Sequence, residues 1–243
     1  MALDIERGIR AKLLELPTDH PDRAFLEAQS RVFSAFNLTK EISDEPETDL
    51  GLEWTRQARK LAKLFAEPLR MTPEEYVASL PPFVEQPLGY EVAHLTVPLI
   101  VETRVSWGRQ LQLADIPDCI SERTTSFALK VDNDPTKFVT PSLPYTTWAQ
   151  DGTILIDEWA ESVRRRLSRD QRGGTIFDGI AYHIARPIQD GHGFELIGSS
   201  LPENDVPVLS NVSGIMLTEV ISGPEKYVPG GGYANLVCGM ATG

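Results

Sequence analysis

Residues 175–187 read Thr175-Ile176-Phe177-Asp178-Gly179-Ile180-Ala181-Tyr182-His183-Ile184-Ala185-Arg186-Pro187. Ile176, Ile180 and Ile184 recur every four residues, which sets them along one face of an α-helix. Thr175 with Asp178 three residues on resembles a capping box, Asp replacing the usual Glu, and Pro187 stops the run. Beyond it the texture is strand-like over Phe194 to Ile197, Val206 to Leu209, Gly214 to Val220 and Tyr233 to Val237. Ahead of it, His94 to Thr103 is rich in β-branched residues, with Pro98 indicating an edge strand or a bulge. Ser126 to Val131 and Tyr145 to Ala149 also read as strands, and Gln150-Asp151-Gly152-Thr153 as a turn. A second helix is expected over Glu158 to Leu167, capped by Asp157. Short strands interrupted by two helices predict an α+β class: a mixed, mainly antiparallel sheet with two helices packed on it.

Working back toward residue 1, the first eighty residues read as helical. Ile5, Ile9, Leu13 and Leu16 share a helix face, and Phe25, Ala28, Val32 and Phe36 another. The stretch Glu41 to Asp49 is acidic, contains Pro46 and reads as a linker. Trp54, Ala58, Leu61 and Phe65 mark a third helix. Thr72-Pro73-Glu74-Glu75 marks the start of a fourth, with Thr at the cap, Pro in the first turn and Glu at its third position. The expected organisation is a helical extension with an acidic linker over residues 1–48, then an α+β domain over 49–243.

The chain has 243 residues, 41% of them hydrophobic, enough to bury a core. Against 23 Lys and Arg stand 35 Asp and Glu, a formal net charge of −12. That charge repels phosphate backbones over most of the surface, so nucleic acid is not an expected general partner. No window supplies the run of about 20 apolar residues that a membrane helix needs. Met1 to Arg7 lacks the basic start and apolar run of a signal peptide, so a cytoplasmic location is expected. Cys119 and Cys238 lack the neighbours of a zinc or redox motif, and no cofactor is implied.

Two clusters carry most of the chemistry. Asp190-Gly191-His192-Gly193-Phe194-Glu195 sets a carboxylate on either side of an imidazole, with glycines allowing close approach. His192 could serve as a general base toward Ser199 or Ser200, or bind a metal together with Asp190 and either His183 or Glu195 as a third ligand. The bland alternative is a polar helix-to-strand loop, because Gly198-Ser199-Ser200 is not a nucleophile elbow and the chain has no His-Glu-x-x-His. Arg164, Arg165, Arg166, Arg169 and Arg172 place five bases in nine residues. A helix spreads three consecutive arginines around most of its circumference, so they cannot line one tight pocket. They are either a solvated face with internal ion pairs or a docking surface for an acidic protein or a small anion. Pro229-Gly230-Gly231-Gly232 reads as a turn between strands.

The order of these blocks resembles the C-terminal half of a bacterial family of uncharacterised proteins. The resembling blocks are Thr175 to Ala181, then Pro187, Phe194-Glu195-Leu196-Ile197-Gly198-Ser199 and Val206-Pro207-Val208-Leu209. Upstream, Met71 to Tyr76 and Leu143 to Gly152 match two further blocks. The resemblance spans residues 50 to 243 and implies a compact α+β domain without an assigned activity. Ser200 departs from the basic residue that follows Gly-Ser in the pattern, and Gly232 to Leu236 lacks its Trp and His.

Two functional readings follow, beside a third, structural one in which the chain is a subunit whose helical N-terminus docks in an oligomer. One is a non-enzymatic binding or adaptor module using the arginine segment. The other is a small-molecule hydrolase or metal-dependent enzyme centred on His192, with Asp190 and Glu195. The oligomeric state is left open.

Overall fold

The computed structural model describes residues 50–117, 139–151, 158, 160–189, 192–199, 206–211, 215–220 and 233–240. The first two expected helices, the acidic linker, the Ser126 strand, Asp157, Asp190, Cys119 and the Gly230 turn lie outside the described residues. The chain divides into two compact units, Met1–Leu80 and Pro81–Gly243.

In the first unit, helix α1 spans Leu50–Phe65 and α2 spans Pro73–Ala78. Ala58, Leu61 and Phe65 are buried, as their spacing predicts, whereas Trp54 is only half-buried. Leu52, Gln57 and Ala62 complete the buried stripe. After α1 the chain turns back through Arg70, whose φ of 58° lies in the left-handed region. The expected capping box opens α2. Thr72 Oγ1 accepts from the Glu75 N–H at 3.2 Å, and the Glu75 carboxylate accepts from the Thr72 N–H at 2.8 Å.

The second unit is α+β. Its elements in chain order are β1 (Leu95–Val101), α3 (Trp107–Leu113), β2 (Tyr145–Gln150), α4 (Ala160–Arg166), β3 (Gln171–Gly173), α5 (Ile176–Ala185), β4 (His192–Glu195), β5 (Val206–Asn211), β6 (Ile215–Val220), β7 (Tyr233–Asn235) and β8 (Val237–Gly239). They build two four-stranded sheets, ordered β1-β2-β8-β3 and β6-β5-β4-β7. Every pair is antiparallel except β4 with β7, where Glu195 lies beside Asn235. Pro98 sits on β1, which is both an edge strand of the described sheet and bulged between Leu95 and Val97.

One sheet becomes two at a single residue. The stretch expected as one strand from Tyr233 to Val237 is two, β7 in one sheet and β8 in the other, with Leu236 between them. Leu236 donates its N–H to Glu195 O at 2.9 Å and accepts from Gly174 N–H at 2.7 Å. Close by, Gly198 N–H reaches Gly174 O at 2.9 Å, so two backbones touch with no side chain between. A Cβ on Gly198 would stand 2.3 Å from Gly173 O, and one on Gly173 2.6 Å from Gly198 N, so both positions need glycine.

Helix α5 packs on β1 of one sheet and β5 of the other. Ile176 and Ile180 are fully buried, and Tyr182 meets Phe194 of β4 at a ring separation of 4.6 Å. Two elements have no counterpart in the sequence reading. Helix α3 has Ser106 at its start but no side-chain cap; it is tied down by Gln110, whose Nε2 donates to Glu102 O and Val105 O, both at 2.7 Å. Strand β3 is three residues long and lies inside the arginine run.

Candidate functional site

The arginine run parts into inward and outward members. Arg172, on β3, is 2% exposed, and its guanidinium grips Asp178 with both nitrogens, Nη1 to Oδ2 at 2.6 Å and Nη2 to Oδ1 at 2.9 Å. Asp178 is the third residue of α5, so its carboxylate already faces the helix start as the capping box expects. Oδ2 accepts from Thr175 N–H at 2.7 Å and Thr175 Oγ1 at 2.8 Å, while Oδ1 accepts from the Tyr145 hydroxyl at 3.0 Å. One fully buried carboxylate thus takes five donors.

The electrostatics follow from that satisfaction. Burial pushes the Asp178 carboxyl up, but Arg172 and the Thr175 donors outweigh it and bring it below the usual value. Burial also raises the Tyr145 phenol, with Asp178 adding to the rise, and raises the Cys238 thiol behind it. The guanidinium lies 5.6 Å from the centre of the Tyr145 ring. The cluster fastens α5 to β2 and β3.

Arg164 is the other inward arginine. From α4 its Nε donates to Ile197 O at 2.9 Å and its Nη2 to Ser199 O at 3.4 Å. It therefore holds α4 to the turn that follows β4. Glu161 pairs with it at 3.6 Å. Between the two inward arginines the others face outward. Arg165 pairs with Glu161 at 3.3 Å while 72% of its side chain stays exposed; Arg166 pairs with Glu158; Arg169 is exposed.

His192 and Glu195 are not brought together, and Asp190 lies outside the described residues. His192 opens β4 and is exposed, whereas Glu195 is 5% exposed. Three residues apart on a strand, they project from opposite faces, and the His192 face carries Phe194 toward α5. His183 Nδ1 accepts from Ile188 N–H at 3.4 Å, closing the turn after α5. Ser199 is fully buried, and its Oγ accepts from Ile176 N–H at 3.0 Å, so it caps α5 instead of standing as a nucleophile. Among the described residues no three His, Cys, Asp or Glu side chains are placed to hold a metal ion.

Among the described residues of that motif, Glu195 has the unusual environment. Its strand neighbours are Asn235 on β7 and Val208 on β5. Among the described residues nothing donates a hydrogen bond to its carboxylate. Burial pushes its pKa up to about 7, against a smaller pull downward from Arg164. The sequence singled out Glu195 for its place beside His192. Its raised pKa comes instead from burial between β5 and β7, both later in the chain.

Among the described residues no helix is long and apolar enough to cross a membrane. No family model, curated protein or solved structure matches this chain.

Proposed function

We propose that this protein is a non-enzymatic cytoplasmic binding or adaptor module, whose docking face is formed by Arg165, Arg166 and Arg169. The observation that carries this reading is the clamping of the basic run at both ends. Arg164 is fixed to the carbonyls of Ile197 and Ser199, and Arg172 to Asp178. The arginines between them are held outward on a backbone that does not have to order on binding, which lowers the entropic cost of docking. Guanidinium groups so displayed suit the carboxylates of an acidic protein or a small anion. Glu161 and Glu158 partly neutralise them, so a partner must displace those exposed contacts, each worth little on its own.

The motif resemblance supports a compact α+β domain of the bacterial family described above and assigns no activity to it. The reading centred on His192 draws no support from a site in which His192 and Glu195 diverge and Ser199 caps a helix.

Titration of the full chain with a poly-glutamate peptide, and separately with inorganic phosphate, tests the proposal. Saturable binding to either that weakens with salt, and falls at least about tenfold in an Arg165→Glu, Arg166→Glu, Arg169→Glu variant, is the expected result. Equal binding by the folded variant and the parent, or no binding by the parent at low salt, would overturn it.

A further inference from the structure

Leu88 and Val92 are the two most exposed large apolar side chains among the described residues, at 103% and 84% relative exposure. An apolar side chain standing singly in water is ordinary, but these two lie four residues apart on one turn, and that turn is tied down. Ala93 N–H reaches Gly89 O at 3.1 Å, Leu95 N–H reaches Tyr90 O at 2.9 Å, and Gln150 Nε2 donates to Ala93 O at 3.1 Å. The fold therefore holds the pair in water on an ordered backbone.

The anchorage of the turn gives the pair a neighbour. The Tyr90 hydroxyl accepts from Met240 N–H at 3.2 Å and donates to Asp170 O at 3.4 Å. The Tyr90 ring fills the space over Gly239, where a Cβ would stand 2.3 Å from it. Asp170 directly follows Arg169, the last of the outward arginines. Through that bond the backbone at Leu88 lies within about 23 Å of the backbone at Arg169. A helix of about fifteen residues covers that span. An apolar pair and a basic patch, joined by a contact 80 positions apart in the chain, thus share one region of the second unit. The exposed acids Glu85 and Glu91 flank the apolar pair, so negative charge on a partner is favoured at the arginines and disfavoured at Leu88 and Val92.

We propose that the partner of this face is a protein segment of divided character, acidic where it meets Arg165, Arg166 and Arg169 and apolar where it covers Leu88 and Val92. The inference rests on the arginine docking face proposed above and adds the apolar half to it. Charge complementarity assigns the acidic end, and the two exposed side chains assign the other. A small anion would leave the apolar pair in water. An anionic membrane surface would set its charge against Glu85 and Glu91 as well as the arginines.

Titration of the full chain with two synthetic peptides of about fifteen residues separates the halves. The first joins a run of glutamates to a segment with two leucines one helical turn apart, and the second has serine in place of both leucines; each is made with its halves in either order. In its better order the leucine peptide should bind the parent at least about tenfold more tightly than the serine peptide. Leu88→Ser with Val92→Ser should abolish that advantage and leave the serine peptide's affinity unchanged. Both side chains are exposed, so the variant keeps its core. Equal affinity of the two peptides for the parent, or a leucine advantage that survives in the variant, would overturn the inference and leave the arginine face standing. Failure of the parent to bind either peptide would overturn both. Binding to phosphatidylserine vesicles that depends on Leu88 and Val92, without a leucine advantage in the peptides, would assign the face to a membrane instead.

Discussion

Asp178 and Glu195 are both buried carboxylates, and each faces an arginine from the same basic run, yet they stand in opposite electrostatic states. Asp178 meets Arg172 through two short bonds and takes three further donors from Thr175 and Tyr145; its pKa falls. Among the described residues no hydrogen bond reaches the Glu195 carboxylate, and Arg164, which donates to backbone carbonyls and pairs with Glu161, exerts only a smaller downward pull; the Glu195 pKa rises to about 7. Burial is the largest influence on both groups and pushes both the same way. What separates them is how many donors the fold aims at each oxygen. The same residue types thus make a fixed rivet on one side of the unit and a titratable group on the other.

Removing the rivet should give the largest effect. Asp178→Ala strands the Arg172 guanidinium and should cost about 3–5 kcal/mol in urea unfolding. Replacing both partners, as in Arg172→Met with Asp178→Leu, should recover most of that loss. If the double variant were as unstable as the single one, the pair would be contributing more than mutual neutralisation. The ionised Asp178 stabilises the fold above the unfolded carboxylate pKa, and that contribution is lost as pH falls through its depressed folded value.

Glu195 should behave in the opposite sense. Its folded pKa of about 7 exceeds the ordinary 4.5, so the folded state holds the proton more tightly, and stability falls as pH rises between those values. Glu195→Gln should match the parent below that window and exceed it above pH 7 by up to about 3 kcal/mol, read as a difference in thermal midpoint with pH. A parent whose stability is flat across the window would erase the contrast with Asp178.

Smaller effects sharpen the comparison. Ser199→Ala removes the oxygen that receives Ile176 N–H at the start of α5 and should cost about 1 kcal/mol. Arg165→Ala removes only an exposed pair and should change stability by less than about 0.5 kcal/mol. A large loss at Arg165 would mean that the outward arginines hold the fold together as the inward ones do.

Much of the fold was legible because its signals are local. Thr72 with Glu75 and Thr175 with Asp178 announced their helices within four residues, and the β-branched run around Pro98 announced a bulged edge strand. The rest depends on distance along the chain. The three residues of β3 owe their conformation to β8, more than sixty positions later, and nothing nearby marks them. The burial of Arg172 follows from that pairing, so composition alone grouped it with its exposed neighbours. The divergence of His192 and Glu195 was readable, since an odd spacing on a strand separates two side chains. The state of Glu195 was not, because its burial depends on β5 and β7, brought to either side of β4 from later in the chain.

The step at Leu236 also bears on when the molecule can assemble. Strand β8 lies between β2 and β3, and β7 closes the far side of β4, so neither sheet has its full set of strands until residues 233–239 have been synthesised. A nascent chain halted before Tyr233 could form the β1–β2 and β4–β5–β6 ladders but would leave β3 without the strand that pairs it. Joining both sheets through one late segment makes their completion a single event of high sequence separation, slow by nature and exposed meanwhile to mispairing in the crowded space outside the ribosome.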